Sequence, residues 1–502
     1  MTFLEKNRYT KHTHLYKVHK NIFFFMLYIE TMTKVSENHD NQLRNPFSQK
    51  DSMEGQLEKY AFNRFEDEEL EVVEKPTYPL SRAPIIFTDS DYVEEEIVNI
   101  LEEVGIVSDD EIFDVVYEDE MSNVLDLKTI KEYIKVDVDN IYDIESFECD
   151  HPDITDISIL SNFTKLKELR IYATKLEDLS PLSKLKQLRR LYLANNRISN
   201  ISPLQNLTNL EVLNLDGNPV EDISILTKLK KLTELRLVSI KTEPENFEVL
   251  SKMKKLRVLD ISTNKISDIS FLKDLIQLRN LYIVLNNVTE ISVLGKLKNL
   301  TDLDITHTDI TDISPLMNLK KLSTLYISDE VQNYSVLNYM TKLTKLVMYC
   351  PDNDIDIGLL QNLNKLEHLN IVASDIQNVS LIQNFGKLSE LHLEGKDNYI
   401  TDISFLKGMK NLEIVNLTNH EIEDISVFAG MKNLNVLYIS SNEIEDISPL
   451  VEVPKLAYLY IDGNNIKDVS PLTRMKNLEF VYLRGNPIEN LSSLEGVAFE
   501  YE

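Results

Sequence analysis

Two histidines and two glutamates lie at matching places in neighbouring segments of the chain. His368 occurs in EHLNI, and His392 occurs in SELHLEG between Glu390 and Glu394. Imidazole nitrogens and carboxylate oxygens are ligands that bind zinc in proteins. A fold that stacks the two segments therefore offers a candidate metal site. The alternative, which we expect, is that these are ordinary exposed polar side chains that hold no metal.

A second acidic stretch has only part of the spacing of a calcium-binding loop. Residues 137–148, DVDNIYDIESFE, place acids at loop positions 1, 3, 7, 9 and 12. The glycine that such a loop needs at position 6 is missing, and Ile141 stands at position 5. The sequence also lacks the GxxxxGK(S/T), HExxH, GxSxG and CxxC motifs. It therefore predicts a non-enzymatic protein without a metal or cofactor.

The elements that must position these side chains are short repeats. LYISSNEIEDISPL, residues 437–450, returns as LYIDGNNIKDVSPL at 459–472, LYLANNRISNISPL at 191–204 and LDITHTDITDISPL at 303–316. The period is 22 residues, with apolar side chains at positions 1, 4, 6, 11, 14, 17 and 20 of each unit. Sixteen units follow one another from Ile144. No single unit can bury seven apolar positions, so neighbouring units must stack.

This pattern is identified as the leucine-rich repeat. Positions 3, 5 and 7 alternate with the buried positions 4 and 6, which predicts one short parallel strand per unit. An Asn at position 9 is expected to bond backbone groups where the chain leaves the strand, and Ser-Pro starts the return path. The predicted fold is an α/β leucine-rich repeat solenoid, open and curved, with its parallel strands on the concave face. Four units, starting at Leu232, Leu322, Leu343 and Leu388, depart from the period, mainly in the return loop.

The chain divides into three predicted parts. Residues 1–84 form a disordered lead, and residues 85–143 form a helical cap in which Asp91 and Glu94 begin a helix that ends at Gly105. Residues 144–502 form the leucine-rich repeat domain. Cys149 falls on a core position of the first repeat, and neither it nor Cys350 suggests a disulfide or a zinc site.

Charge is distributed unevenly along the chain. Of the net charge of −29, residues 36–150 contribute 9 Lys and Arg against 33 Asp and Glu. This excess acidity repels phosphate backbones and excludes nucleic acid as an expected partner. No apolar run is long enough to span a membrane. We expect a cytoplasmic protein, or a secreted one if residues 11–31 act as a signal peptide.

Tyrosine is frequent at position 5, which points outward from the middle of each strand. It occurs six times, and the last three copies are consecutive, flanked by two aromatic residues at position 3. Exposed aromatic side chains with polar tips are common at the centres of protein interfaces. These residues are predicted to bind a partner, although tyrosines that merely pack on a sheet are the alternative: Tyr192, Tyr282, Tyr326, Tyr438, Tyr458, Tyr460, Phe480 and Tyr482.

Arginines are concentrated in the N-terminal half of the same predicted face. They are Arg170, Arg189, Arg190, Arg236, Arg257 and Arg279. In so acidic a chain they suggest an acidic partner segment. The equally open alternative is that they pair with Glu168, Glu211 and Glu234 of the same strands.

The 22-residue period, the N-x-I-x-D-I-S-P-L core and the acidic helical cap resemble internalin-type bacterial leucine-rich repeat proteins. That resemblance implies a scaffold that binds a protein partner. We expect the chain to act as a monomer. The chain lacks the wall-sorting motif that internalins acting on host cells usually carry. The same repeat class resembles a cytoplasmic regulator of type 1 protein phosphatase, which is the main alternative. A module that binds a cell-wall glycan is the second, since stacked aromatic rings also suit sugars.

Overall fold

The computed structural model describes residues 124–125, 127, 129–130, 141–395, 399–489 and 498–500. The predicted lead, residues 1–84, and almost all of the predicted cap lie outside these residues. The calcium-loop-like stretch begins outside them as well. Its described part is a 3-10 turn over Ile141–Asp143 followed by a strand that starts at Ser146.

One parallel sheet of seventeen strands runs through the repeats, with each strand paired to the strands of the adjacent repeats. Its strands are β1 Ser146–Cys149, β2 Glu168–Ile171, β3 Arg190–Tyr192, β4 Val212–Asn214, β5 Glu234–Arg236, β6 Val258–Asp260, β7 Asn280–Tyr282, β8 Asp302–Asp304, β9 Thr324–Ser328, β10 Lys345–Cys350, β12 His368–Ala373, β14 Glu390–Gly395, β15 Ile414–Asn416, β16 Val436–Tyr438, β17 Tyr458–Tyr460, β18 Phe480–Tyr482 and β19 Ala498–Glu500. A second sheet pairs β11 Ile355–Asp356 with β13 Ile376–Gln377. The predicted leucine-rich repeat solenoid is confirmed.

Short 3-10 segments carry the chain back between strands. They are Ser158–Asn162, Ser180–Lys184, Ser202–Asn206, Ser224–Lys228, Pro244–Lys252, Ser270–Asp274, Ser292–Lys296, Ser314–Asn318, Tyr334–Tyr339, Ile357–Leu360, Val379–Asn384, Ser404–Leu406, Ser426–Phe428, Ser448–Glu452 and Ser470–Arg474. Most start where an Asp side chain accepts the backbone N–H of the Ser two residues on, as Asp446 does from Ser448 at 2.8 Å. This bond explains why the repeats read D-I-S.

The apolar positions of the repeats form one continuous core. In the repeat that starts at Leu188, the positions predicted to be apolar are all buried, from Leu188 and Leu191 to Leu204 and Leu207. The same positions recur in the neighbouring repeats, so each side chain packs against its counterparts 22 residues away. Cys149 lies on such a position and is buried, as predicted.

Where it occurs, the Asn at position 9 ties its repeat to the preceding one. Asn464 is buried, and its Nδ2 group donates to Ile439 O and Ile461 O, each at 3.0 Å. Its Oδ1 atom accepts the backbone N–H of Ile444 at 3.1 Å. Thr308 replaces this Asn in one repeat and donates to Ile305 O at 2.8 Å. The predicted role of position 9 is therefore confirmed.

Three of the irregular repeats differ in their strands as well as in their return loops. Strands β9, β10, β12 and β14 are five or six residues long, whereas most others have three. The two-stranded sheet of β11 and β13 lies in the return paths of this region. The longer pairing between consecutive repeats is therefore concentrated in this part of the array.

Both ends of the array make contacts beyond the predicted strands. Near the N-terminal end, Leu125 and Ile130 are buried in the common core, and Leu125 N donates to Asp156 O at 2.9 Å. At the other end, β19 pairs in parallel with β18. All sixteen predicted strands are present, and this last segment adds a seventeenth. Among the described residues, no helix has the length and apolarity needed to cross a bilayer.

Candidate binding face of the parallel sheet

The strand face is the surface formed by the outward-pointing side chains at positions 3, 5 and 7 of the repeats. These positions flank the buried positions 4 and 6, as in β17, where Leu459 is buried between the partly exposed Tyr458 and Tyr460. Strand pairing then sets equivalent side chains side by side, about 4.8 Å apart. All the tyrosines predicted to bind a partner lie on this face.

The C-terminal strands bring four predicted aromatic residues together. The Tyr438 and Tyr460 rings stack with centroids 4.5 Å apart and an interplanar angle of 16°. The next ring contact is with Phe480, tilted at 50° and 5.8 Å from Tyr460. Tyr458 donates its hydroxyl to Glu479 at 2.8 Å, and burial together with this bond raises the pKa of Tyr458 to about 12. These predicted residues therefore lie together as a mixed tyrosine and phenylalanine cluster.

Tyr438 departs from the expectation that these rings are exposed. Only 6% of it is accessible, because the ring of Tyr460 covers it. Burial also raises the pKa of Tyr438. The partly accessible residues are Tyr458, Tyr460, Phe480 and Tyr482, and we call these four the aromatic patch.

The other three predicted tyrosines make separate polar contacts. The Arg170 guanidinium lies 4.4 Å above the ring of Tyr192. Tyr282 accepts a hydrogen bond from Asn280 at 3.3 Å, and the Lys345 ammonium lies 5.4 Å from the ring centroid of Tyr326. These rings are therefore spread along the sheet, apart from the aromatic patch.

Three predicted arginines lie on the strand face and are held in ion pairs. Arg170 and Arg190 contact the two oxygens of Glu168 at 2.8 and 2.6 Å. Arg236 contacts Asp216 at 3.0 Å and Asp260 at 2.9 Å. The pairing alternative therefore accounts for these three, with aspartates in place of the expected Glu234.

The other three arginines lie outside the strands and not on the strand face, where they were expected from the sequence. Arg189, Arg257 and Arg279 are exposed in the connections that lead into β3, β6 and β7, one residue before each strand begins. Position 2 precedes the alternating part of the repeat, so its side chain belongs to the edge of the sheet. Arg189 lies 3.7 Å from Glu211, which occupies the same position in the next repeat.

The structure brings His368 and His392 to opposite sides of Glu390. His368 Nδ1 is 2.7 Å from one carboxylate oxygen of Glu390, and His392 Nε2 is 2.9 Å from the other. Burial opposes ionisation of Glu390, but these two hydrogen bonds hold its pKa well below the usual range. Burial alone raises the pKa of Glu394. No group of three potential ligands with metal-binding geometry occurs among the described residues.

Two features of the strand face were missed from the sequence. Asp304 on β8 accepts from the backbone N–H and hydroxyl of Thr306 at 3.0 and 2.7 Å, and burial raises its pKa to about 6. The lengthened β10 brings Tyr349 within 5.3 Å of His307, measured between ring centroids. An Asp two residues before a Thr was the available signal for the first feature. The second depends on strand extension, which the 22-residue pattern does not encode.

Comparison with known proteins identifies the repeats. A family described as "Leucine-rich repeat region" matches residues 243–499, and a second, "Leucine Rich repeats (2 copies)", matches residues 186–228. No curated protein sequence matches the chain. Among solved structures, it is similar to a leucine-rich repeat protein of Leptospira interrogans, with 20% identity, a TM-score of 0.50, and coverage of 76% of this chain and 93% of the other.

Two internalins of Listeria monocytogenes are also among the similar structures. InlF is 26% identical with a TM-score of 0.41, over 69% of this chain and 87% of InlF. InlJ is 22% identical with a TM-score of 0.47, over 68% of this chain and 74% of that structure.

Proposed function

We propose that this chain, which belongs to the leucine-rich repeat family, binds a folded protein partner on its strand face. Leucine-rich repeat solenoids generally serve as scaffolds that present extended surfaces for protein interaction. The observation that carries the proposal is the aromatic patch. It places Tyr458, Tyr460, Phe480 and Tyr482 on two adjacent strands, each partly accessible.

The patch has the physical properties of an interface centre. Aromatic side chains bury a large area and are enriched among the residues that dominate binding energy. Tyr460 is held between Tyr438 and Phe480, and Tyr458 is fixed by its bond to Glu479. Side chains already ordered in the free protein lose little conformational entropy on binding.

The remainder of the strand face suits a supporting role. Its charged groups are largely engaged with one another, as in the pairs of Glu168 with Arg170 and Arg190 and of Arg236 with Asp260. Paired charges at an interface rim contribute more to orientation and association rate than to affinity. We therefore assign the main contribution to affinity to the aromatic patch.

The test is capture of partners by the full chain and by two matched variants, with identification by mass spectrometry. Tyr460→Ala with Tyr482→Ala alters the patch. Tyr282→Ala with Tyr326→Ala removes two partly buried tyrosines from the same position of other repeats. A protein retained by the native chain and the control but lost by the patch variant supports the proposal.

Equal capture by both variants would refute the assignment to the patch. Protease treatment of the captured target separates protein from sugar, because binding that survives complete proteolysis indicates a glycan.

A further inference from the structure

The two edges of the sheet carry opposite charge. The lysine rim consists of the fifteen connections that lead from each 3-10 segment into the next strand, such as residues 253–257 and 319–323. By sequence, these connections hold twenty-one Lys or Arg and four Glu. The described residues that lead from the strands to the 3-10 segments hold twenty-eight Asp or Glu and five Lys or Arg. A strongly acidic chain thus concentrates its positive charge on one edge.

The positive charge of the lysine rim is mostly not neutralised within the described chain. Its ion pairs with described carboxylates involve Lys165, Lys167, Arg189 and Lys254. The remaining seventeen basic side chains form none. The proximity of Lys342, and more weakly of Lys387, lowers the pKa of Lys365, which shows that like charges crowd along the rim. Such repulsion within the rim favours binding to an anionic surface.

Exposed apolar side chains lie among these lysines. Ile276 is 53% exposed, Met317 is 40% exposed and Tyr339 is 59% exposed. Ile276 lies in the connection before β7, and the other two end or nearly end the 3-10 segments before β9 and β10. All three therefore fall within four consecutive repeats, over roughly 15 Å at about 4.8 Å per strand.

We propose that the lysine rim docks on the surface of an anionic lipid bilayer, with these three apolar side chains entering the headgroup region. Basic residues mixed with exposed apolar ones are typical of proteins that lie on membranes. A soluble polyanion could neutralise the lysines, but its hydrophilic chain would leave the three apolar side chains in water. The lipid surface satisfies both features, and this docking leaves the strand face available to the partner proposed above.

The acidic edge does not prevent this contact. Strands of three or more residues separate the two edges, which corresponds to at least roughly 10 Å at about 3.3 Å per residue. At physiological ionic strength, charges are screened over about 8 Å. The attraction of an anionic surface at this edge therefore depends mainly on the charge of the lysine rim and not on the net charge of the chain.

The experiment measures sedimentation of the full chain with phosphatidylserine-containing vesicles and with phosphatidylcholine vesicles. Lys298→Gln, Lys320→Gln and Lys342→Gln together form the rim variant. Lys241→Gln, Lys265→Gln and Lys467→Gln together remove the same charge from the acidic edge. Since each basic residue near an anionic surface changes binding roughly fivefold, the rim variant should bind about a hundredfold more weakly than the native chain. The control variant should bind no more weakly than the native chain.

A second variant separates lipid from a soluble polyanion. Ile276→Ser, Met317→Ser and Tyr339→Ser together should weaken vesicle binding while leaving association with inorganic polyphosphate unchanged. Circular dichroism confirms that each variant is folded.

Three results would overturn the proposal: no binding to anionic vesicles, binding of polyphosphate alone, or rim-dependent self-association in sedimentation equilibrium without vesicle binding. Loss of the strand-face partner by the aromatic-patch variant is measured separately, so either proposal can fail without the other.

Discussion

Removal of one position-9 asparagine should weaken the contact between repeats, and Asn464 gives a direct test. Its side chain is 4% exposed and bonds the backbone of both its own and the preceding repeat. Asn464→Ala removes three bonds donated by Nδ2, to Ile439 O, Ile461 O and Asp462 O, and the one accepted from Ile444 N. The Ile444 N–H is then left without its acceptor, whereas Ile439 O and Ile461 O each keep one bond, from Asn442 and Asn486 respectively.

The magnitude follows from the one orphaned N–H group and the bonds lost by the carbonyls. A buried hydrogen bond contributes about 1 kcal/mol net, and an orphaned buried group costs about 1–3 kcal/mol, so Asn464→Ala should lower the free energy of unfolding by about 2–4 kcal/mol. Urea unfolding followed by circular dichroism measures this change. Asn209→Ala is the matched control, because it removes only exposed bonds, one to Lys186 O at 2.9 Å and one from Lys231 Nζ at 2.7 Å, and should cost below about 1 kcal/mol. Equal losses in the two variants would refute the reasoning.

Three charged groups on the strand face give further predictions. Burial raises the pKa of Asp304 to about 6, above an unfolded value of about 3.9, so stability should fall as pH rises from about 4 to about 6. Asp304→Asn should flatten that dependence in urea unfolding, and an unchanged profile would contradict it. Arg236→Met should cost about 1–2 kcal/mol by leaving the Asp260 carboxylate without its guanidinium, after allowance for the partial exposure of Arg236. Adding Asp260→Asn should restore most of this loss. The lowered pKa of Glu390 predicts a contribution that is present above about pH 4.3 and lost as pH falls. Glu390→Gln should remove that contribution, whereas identical acid unfolding curves would argue against it.

Much of the fold could be predicted because each repeat has the same pattern of buried and exposed positions. Apolar positions 4 and 6 must face the core, so the intervening position 5 must face out, and sixteen copies make the pattern unambiguous. The Asn at position 9 and the Asp before each Ser were equally predictable, since each satisfies a backbone group where the chain turns. Leu191, Asn464 and Asp446 illustrate these three roles.

The candidate site was less predictable because it depends on contacts between repeats. Position 5 points outward in every repeat, yet Tyr438 is buried by the ring beside it. Arg170 and Arg257 are both arginines of the N-terminal half, but one is paired on the strand face and the other is exposed at its edge. The pattern within one repeat gives the direction of a side chain. It does not show whether side chains of the adjacent repeats bury that side chain or pair with its charge.

The lengthened strands also bear on how the array comes apart. Strands β10 and β12 pair over six residues, whereas β16 and β17 pair over three. Backbone pairing between consecutive repeats is therefore about twice as extensive in the centre as near the C-terminal end. In a solenoid each repeat is stabilised only by its neighbours. Unfolding should therefore begin in the repeats with short strands and reach the centre last. The aromatic patch lies in repeats with short strands, so a bound partner would stabilise these repeats against local unfolding.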